Sequence, residues 1–531
     1  MIRERIEQAV KEALTSLGAE GNFVVERPRS MEHGDYATNA ALVAKLDAQT
    51  LADKLGSIEG IQMVEVVGKF INFRLSRETL VPMPQQIPQL YAGKTVMVEY
   101  TDPNPFKEFH IGHLMSNAIG ESVARVLEVA GATVVRANYQ GDVGPHVAKA
   151  IWGKIKNPSA SWGEAYVAGA AAYEADAKAE IDEINKKVYE KSDAQVNELY
   201  AEGRTTSLAH FEDIYTKLGT KFAHYFFESE TWESGRDMVR AHIGKVFEES
   251  EGAIIYRGEQ DGLHTRVFIN KAGLPTYEAK DLGLLELKAK TGTFDTSITV
   301  TASEQTDYFK VVLAAAKHIA DIKEIAEKTR HITHGMMRFA SGKMSSRTGN
   351  VITGESLLAD MAAVSLEKMQ GRDVKDTETV SQQIAVGAIK YAVLKQGSGR
   401  DIVFDPDKSL SLEGDSGPYL QYAHTRALSL VRAAKEAGIE PGRDDMPEEA
   451  SALERVLIHY PSVVERAARE LEPHYITTYL TELAGAFNSW YAQGKVIGGT
   501  SPHYGVWLAY AAIKTLKEGL DTLGIPAPEE M

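Results

Sequence analysis

The alternation of strand and helix patterns between residues 94 and 139 constrains the fold more than any other feature of this chain. The stretch KTVMVEY is a short apolar run typical of a buried strand, GHLMSNAIGESVARVLEVAG has helical periodicity, and TVVRANY is strand-like again. A strand, a helix and a second strand in this order form a βαβ unit, from which parallel, doubly wound sheets are built. We therefore predict an α/β, Rossmann-like domain here.

The length of 531 residues predicts several domains, because one hydrophobic core seldom serves more than about 300 residues. An N-terminal helix followed by the strand-turn-strand stretch VEVVGKFINFRLS predicts an α+β domain over residues 1–90, which the proline-rich PMPQQIPQL ends. The Rossmann-like domain is predicted over 91–345, with a polar helical insertion at about 158–250. A connecting segment over 346–385 and an all-α bundle over 386–531 complete the chain.

Composition excludes several classes of protein. The chain has no cysteine, so disulfides, thiolate catalysis and cysteine-bound zinc are excluded. No stretch reaches the roughly 18 apolar residues of a membrane span, and the N-terminal MIRERIEQAVKEALTSLG mixes acids with bases, unlike a signal peptide. A cytoplasmic location is therefore expected. The net charge of -16 by itself argues against a protein that coats itself with nucleic acid, while leaving room for a local basic face.

Two histidines lie where the first strand of the βαβ unit leads into its helix. Backbone N–H groups and the helix dipole at this edge attract phosphate, and Gly112 would let a ligand approach the backbone closely. The imidazoles of His110 and His113 would add hydrogen-bond donors. Two histidines three residues apart often merely decorate an exposed turn, so their position after the strand is what favours a phosphate site.

A second candidate motif is GKMSSRTGN at residues 342–350, a glycine-rich, hydroxyl-rich and cationic stretch. Lys343 and Arg347 on a mobile loop could close over a triphosphate and stabilise charge as pyrophosphate departs. Surface turns of this composition are common, so the stretch gains its meaning from the histidine pair.

Together the two motifs resemble the signatures of class I aminoacyl-tRNA synthetases. The stretches VEYTDPNPFKEFHIGHL, RANYQGDVG, PTYEAKDLG, GKMSSRTGN and GPYLQYAHTRA resemble, in their order, those of the arginyl-tRNA synthetase family. The resemblance extends from HGDYATNAAL near the N-terminus to LGIPAPEEM at the C-terminus. It implies an enzyme that uses ATP with Mg²⁺ to form arginyl-adenylate from L-arginine and then charges the 3′ end of tRNA(Arg), with adenylate formation requiring bound tRNA.

One departure from the general class I pattern supports arginine. Most class I enzymes carry a second lysine where this chain has Ser346, whereas arginyl enzymes commonly use a lysine three residues before the first histidine, here Lys107. A triphosphate under attack needs a second cation, and either position could supply one. The resemblance implies that His110, His113, Lys107 and Lys343 are catalytic, and that ATP contacts Gly112, Lys343, Ser345, Ser346, His110 and His113.

The amino-acid pocket should carry carboxylates, because a guanidinium group needs planar and preferably bidentate acceptors. Glu99 and Asp281 qualify at the carboxyl edge of the sheet, and Tyr277 lies one helical turn before Asp281, on the same helix face. The resemblance places Tyr277 and Asp281 at the arginine side chain, and Asn104 and Gln305 near the head group.

In the helical bundle, Tyr419, Tyr422 and Arg426 are spaced i, i+3 and i+7, which puts them on one helix face. Aromatic and arginine side chains can stack unpaired RNA bases, although from spacing alone half-buried packing is the better interpretation. The resemblance implies that this face reads the anticodon, with Met531 nearby.

At the other end of the chain, Phe70 and Asn72 match a place where the family contacts the tRNA D-loop, although a phenylalanine on a strand usually packs in a core. Met115 and Val143 depart from the family's frequent arginine and tryptophan, and the insertion after Trp152 is longer than the minimal pattern.

We expect a monomer that binds neither DNA nor membranes. Alternatives are a synthetase for another amino acid, a small-molecule nucleotidyltransferase, or a tRNA-binding regulator without activity.

Overall fold

The computed structural model describes residues 2–28, 30–82, 86–340, 352–371 and 373–531. The chain forms two compact units. The first comprises Met1–Gln86, Arg426–Pro461 and Glu482–Leu516, and the second comprises Ile87–Thr425, Ser462–Thr481 and Lys517–Met531. No helix among the described residues is long and apolar enough to span a membrane.

The helices of the described ranges are α1 (Ile2–Ser16), α2 (Ala40–Ala44), α3 (Ala48–Ala52), α4 (Ile111–Val129), α5 (Pro145–Lys156), α6 (Trp162–Ala175), α7 (Lys178–Glu190), α8 (Ala194–Leu218), α9 (Glu228–Ala241), α10 (Tyr277–Thr291), α11 (Thr306–Lys317), α12 (Lys323–Lys328), α13 (Gly354–Lys368), α14 (Thr377–Leu394), α15 (Pro406–Ser409), α16 (Gly417–Glu436), α17 (Ala452–Leu457), α18 (Tyr460–Glu470), α19 (His474–Ala492) and α20 (Pro502–Thr522). Short 3₁₀ helices in these same ranges are Met31–His33, Gly258–Asp261 and Ser303–Gln305.

The strands are β1 (Val25–Glu26), β2 (Tyr36–Thr38), β3 (Ile61–Val67), β4 (Phe70–Leu75), β5 (Thr95–Glu99), β6 (Thr133–Gln140), β7 (His224–Phe227), β8 (Glu248–Ser250), β9 (Ala253–Tyr256), β10 (Arg266–Ile269), β11 (Thr296–Ala302), β12 (Thr329–His334), β13 (Met337–Phe339) and β14 (Ile402–Phe404).

A five-stranded parallel sheet in the order β12-β11-β5-β6-β7 confirms the predicted doubly wound fold. Helices cover both faces of such a sheet, which is why Val96, Met97 and Val98 of β5 form an unbroken apolar run and are all buried. The chain passes from β5 to β6 on one side and later returns to β11 on the other side of β5. The strand order therefore reverses between β5 and β11, and doubly wound sheets bind ligands at the carboxyl end of that position.

Helices α5 to α8 lie between β6 and β7, and α6 to α8 fall within the predicted helical insertion. The predicted range of 158–250 was too long, because β7 falls inside it and pairs in parallel with β6, with Ala137 opposite His224. The stretch HYFF has only four residues and no polar alternation, so nothing separates it from the helices around it. The predicted strand HTRVFIN is β10, which pairs with β9 in a separate antiparallel sheet.

The N-terminal residues form the predicted α+β fold. A four-stranded antiparallel sheet has the order β1-β2-β4-β3, and β3 and β4 form a hairpin whose turn contains Gly68 with a φ of 64°. The face of α1 that carries Ile6, Val10 and Leu14 packs in one core with Phe73 of β4. Ile71, Phe73 and Leu75 lie on one face of β4 and belong to this core, so that face of the sheet packs against α1.

The chain from α16 onward is helical, as the sequence predicted, but the predicted all-α range of 386–531 also contains the strand β14, which pairs in parallel with β13. In the first unit, Leu430 and Ala434 of α16 form a core with Val506 and Ala509 of α20. Spacings of three and four residues bring these pairs to one helix face, which explains the long amphipathic pattern of this region.

Candidate active site

His110 and His113 cap the N-terminus of α4 by two reciprocal hydrogen bonds. The His113 backbone N–H donates to Nδ1 of His110 (3.4 Å), and the His110 backbone N–H donates to Nδ1 of His113 (3.3 Å). The rings stack with centroids 3.4 Å apart. Since each Nδ1 accepts a hydrogen bond, the proton of each neutral ring lies on Nε2, where it can be donated to a ligand.

Electrostatics keep both rings neutral at physiological pH. Burial, followed by the charge of Lys107, lowers the pKa of His110. Burial lowers the pKa of His113 well below its usual value, with further contributions from His110 and Lys107. The pair therefore offers two dipolar donors without carrying a charge of its own.

Gly112 lies beneath the ring of His110. A Cβ atom at this position would meet Nδ1 and Cε1 of His110 at 3.0 Å, which is closer than side chains normally approach. A side chain at 112 would thus push the ring of His110 aside by a few tenths of an ångström, so glycine helps to place the histidine ring besides any access that it gives a ligand.

The loop between β5 and α4 holds an unusual backbone conformation. Thr101, Asp102 and Phe106 all have positive φ values, of 81°, 46° and 71°. Such values cost non-glycine residues about 1–3 kcal/mol each and cluster at functional sites. Two of these residues are fixed through their backbone N–H groups, Thr101 by Ser116 of α4 (2.9 Å) and Phe106 by Ser207 of α8 (2.9 Å).

An open cavity of about 560 Å³ lies at the carboxyl ends of β5 and β11. Its wall includes eight of the predicted site residues, namely Glu99, Asn104, His110, Gly112, His113, Tyr277, Asp281 and Gln305. Residues more than 200 positions apart in the sequence thus surround one space, as a site at the strand-order reversal requires.

Carboxyl groups are concentrated in the wall of this cavity. Asp281 accepts a hydrogen bond from the Tyr308 hydroxyl (2.6 Å), and burial raises the pKa of Asp281 to about 8. Asp102 accepts a hydrogen bond from the Tyr139 backbone N–H (2.7 Å), and burial, followed by the charge of Glu99, raises its pKa well above the usual value. A cluster of buried acids favours a cationic ligand.

Glu228 is a cavity residue that the sequence analysis missed. Its carboxylate forms a buried ion pair with Lys280 of α10 (2.6 Å). Glu228 follows β7 directly, at the same sheet edge where Glu99 ends β5. Because β7 was not predicted, Glu228 was not recognised as a residue at the sheet edge. Recognition of β7 would have placed Glu228 there.

Asn104 and Gly141 approach each other so closely that a side chain at 141 would displace the Asn104 amide. A Cβ at Gly141 would lie 2.2 Å from Oδ1 of Asn104. The glycine in the stretch QGDVG thus leaves room for the amide that the sequence predicts at the amino-acid head group.

Lys107 is not part of the cavity wall in this structure. Its Nζ lies 4.9 Å from the ring centroid of Tyr166 on α6, in a cation–π contact. Burial, followed by the charge of Lys149, lowers the pKa of Lys107. The sequence thus placed this lysine close to the histidines without predicting which way its side chain points.

Four residues of the second motif, Lys343, Ser345, Ser346 and Arg347, lie outside the described residues. The two departures from the family pattern, Met115 and Val143, are both buried. Among the residues that the structure describes, no three His, Cys, Asp or Glu side chains are grouped so as to hold a metal ion.

The predicted tRNA-contacting side chains differ in exposure. Phe70 is 44% exposed, unlike a core phenylalanine, whereas Asn72 on the same strand is buried. Tyr419, Tyr422 and Met531 are half-buried. Arg426 donates to Oδ1 of Asn488 (3.2 Å) and lies over the ring of Tyr491 (4.5 Å), which is consistent with packing and with a stacking surface alike.

Comparisons with known proteins agree along the whole chain. The family described as "tRNA synthetases class I (R), catalytic domain" matches residues 77–406, "DALR anticodon binding domain" matches 420–531, and "Arginyl tRNA synthetase N terminal domain" matches 1–75. The arginine–tRNA ligase of Lactococcus lactis subsp. cremoris is 30% identical, with all of both chains aligned.

Solved structures lead to the same family. The arginyl-tRNA synthetase of Thermus thermophilus covers all of both chains with a TM-score of 0.84 and 25% identity. The enzyme of Plasmodium falciparum covers the whole chain with a TM-score of 0.80, and at 18% identity that likeness concerns the fold. The chain, with its histidine pair at the strand-order reversal and its acidic cavity beside it, belongs to the arginyl-tRNA synthetase family.

Proposed function

We propose that this chain is an arginine–tRNA ligase. L-Arginine and ATP give arginyl-adenylate and pyrophosphate, after which the arginyl group moves to the 3′-terminal adenosine of tRNA(Arg) and AMP leaves. The observation that carries the proposal is that two neutral histidines and a cluster of buried carboxyl groups face one cavity. The histidines suit phosphate oxygens, and the carboxyl groups suit a cationic amino acid.

In the first step, a carboxylate oxygen of arginine attacks the α-phosphorus of ATP, and the bond from that phosphorus to the oxygen of the leaving pyrophosphate breaks. Negative charge grows on the non-bridging α-phosphate oxygens. The Nε2–H groups of His110 and His113 would donate to them, fixed in direction by the two capping hydrogen bonds. Lys107 and Lys343 would offset the remaining charge, with Lys107 turning from Tyr166 toward the triphosphate.

Mg²⁺ would arrive with ATP, because this small cation is usually held by phosphate oxygens, water and one or two carboxylates. Gly112, Ser345 and Ser346 would contact the nucleotide. None of the roles proposed for the chain's own side chains depends on where the metal ion lies.

Arginine would place its guanidinium group against Asp281 and Tyr277, which lie one turn apart on α10. Asn104 and Gln305 would receive the head group, and Glu99 would add to the negative potential of the cavity. A guanidinium group can donate two parallel hydrogen bonds to the two oxygens of one carboxylate, whereas the ammonium group of lysine cannot. The same site should therefore reject lysine as a substrate.

Residues outside the cavity would bind the rest of the tRNA. Phe70 and Asn72 would contact the D-loop, and Tyr419, Tyr422, Arg426 and Met531 would read the anticodon. We further propose a cytoplasmic monomer with domains at 1–90, 91–345, 346–385 and 386–531.

Pyrophosphate exchange with each of the twenty amino acids, with and without total tRNA, tests this function. Arginine together with tRNA should give exchange, and arginine alone should give little. Exchange with a different amino acid only would contradict the proposed specificity. Nucleotide transfer without any tRNA charging would instead favour a small-molecule nucleotidyltransferase.

A further inference from the structure

A buried lysine in the cavity wall has no part in the reaction described above. Lys288 lies on α10 two helical turns after Asp281, so it shares the helix face that carries Tyr277 and Asp281. Lys288 is 1% exposed and Glu99 is 2% exposed. The Nζ of Lys288 lies 2.8 Å from Oε2 of Glu99. The two charged groups thus form an ion pair inside the wall of the cavity.

Stability alone does not account for this pair. Removing two charges from water is costly, and well-packed hydrophobic residues of similar volume are often at least as stable in such a position. The same helix also shows that a lysine here can remain outside: the Lys290 side chain is 66% exposed and pairs with Glu286 (2.6 Å). Lys288 is therefore better explained by what it does to the cavity.

The pair acts on two further carboxyl groups of the cavity wall, Asp102 and Asp281. The charge of Glu99 raises the pKa of both Asp102 and Asp281, whereas the charge of Lys288 lowers the pKa of both. Without the lysine, the charge of Glu99 would act unopposed on Asp102 and Asp281, and both would retain their protons more strongly. A protonated carboxyl group is a poorer partner for a guanidinium group, because it carries no charge.

Glu99 also depends on the lysine for its placement. It is the last residue of β5, and the strained loop that begins at Thr101 follows it after one residue. Removal of the ammonium would leave a buried carboxylate without its cation, which is strongly unfavourable unless the side chain reorients. Such a reorientation would alter the charge that faces the ligand.

We propose that Lys288 is a positioning residue for the amino-acid substrate: it anchors one oxygen of Glu99 in the cavity wall and offsets part of the negative charge, so that the remaining carboxylate oxygens receive the substrate's cationic side chain. The inference rests on the proposed function, since it concerns the binding of arginine. Lys288 itself need not touch arginine.

The test compares three variants of the full-length chain in steady-state tRNA charging. Lys288→Met removes the charge and keeps a long side chain, Lys288→Arg keeps the charge, and Lys290→Met is the matched control on the exposed side of α10. For Lys288→Met, we expect the KM for arginine to rise about tenfold or more, the factor that corresponds to one unit in the pKa of a cavity acid. The KM for ATP should stay within about twofold of wild type, since the histidine pair is untouched.

The controls separate positioning from packing. Lys290→Met should behave like wild type, and Lys288→Arg should recover most of the arginine affinity. An unchanged KM for arginine in Lys288→Met would overturn the proposal, and so would an equal rise in the KM values for arginine and ATP, which would indicate general distortion. If Lys288→Met does not fold by circular dichroism, Lys288→Gln is judged by the same criteria.

The same assay distinguishes this inference from the proposed function. A wild-type chain that never charges tRNA with arginine would refute the function, and the role of Lys288 with it. A wild-type chain that charges with arginine, beside a Lys288→Met variant of normal arginine KM, would refute only the role of Lys288.

Discussion

At the scale of single residues, the site separates its electrostatic tasks between two kinds of group. Neutral histidines, held by the backbone, supply dipoles, and buried carboxyl groups with raised pKa values stand where a cationic ligand would favour their ionised form. The pKa values of these groups depart from their usual ranges because burial makes the charged form unfavourable. The consequences can be measured as the pH and the side chains are varied.

Arginine binding should depend on pH through Asp281. Its pKa of about 8 means that the empty cavity holds this carboxyl group largely protonated at pH 7, whereas the guanidinium group needs it ionised. Arginine binding should therefore release a proton. The KM for arginine should fall about tenfold between pH 7 and pH 9 and level off above the pKa. Charging kinetics over pH 6.5–9 check this, with the KM for ATP as the internal control; a flat arginine KM would contradict it.

Lys107 should act on the rate of activation more than on substrate affinity. If its ammonium group turns toward the triphosphate, it meets charge that grows only in the transition state, so Lys107→Ala should lower kcat about 100-fold with little change in the KM for arginine. Lys149→Ala is a suitable control, because Lys149 is a neighbouring cation whose Nζ lies 4.1 Å from the ring centroid of Tyr173. A variant with normal kcat and a raised KM would assign Lys107 to ground-state binding.

At the scale of helices and strands, the secondary-structure elements bring the site residues together. The sequence predicted some of these elements and missed others. The periodicity around β5, α4 and β6 predicted the parallel sheet and placed the histidines at its edge. The four-residue β7 was too short to be recognised, and Glu228 was missed with it. Side-chain direction was equally hidden, since no sequence pattern places the Lys107 ammonium group over Tyr166.

The capping role of His110 can be separated from its chemical role. His110→Ala removes the acceptor for the His113 N–H and should cost about 0.5–2 kcal/mol of unfolding free energy. Asparagine is a good helix cap, so His110→Asn should keep most of this stability. Both variants should lose pyrophosphate exchange, since neither has an imidazole. Urea unfolding and exchange assays measure the two effects; normal activity in His110→Asn would contradict the proposed phosphate contact.

At the scale of the whole molecule, the first unit joins residues far apart in the sequence. Met1–Gln86 packs in one unit with Arg426–Pro461 and Glu482–Leu516. Ion pairs across this large sequence separation include Asp35 with Arg455, and Arg77 with Glu454 (2.8 Å). Local patterns in a single sequence carry no signal for such pairings, so the order of the domains could be predicted and their packing could not.

Arg455→Ala should destabilise the first unit by about 3 kcal/mol, because it leaves the buried carboxylate of Asp35 without its cation. The loss should be at the lower end of the usual range, since the Leu75 N–H still donates to Asp35 (2.8 Å). As a comparison, Arg5→Ala breaks an exposed pair with Glu59 and should cost less than about 1 kcal/mol. Urea unfolding measures both, and equal losses would show that burial of Asp35 is unimportant.

The mutual cap of His110 and His113 also bears on how such a chain can change over generations. Because the same ring atoms cap the N-terminus of α4, a mutation that replaces an imidazole by a side chain unable to cap also weakens the helix on which much of the sheet packs. A gene copy relieved of any need to charge tRNA would still lose stability through such substitutions, whereas a capping residue such as asparagine at position 110 would be tolerated. An intact histidine pair in a duplicated relative is therefore weaker evidence of activity than its chemistry alone suggests.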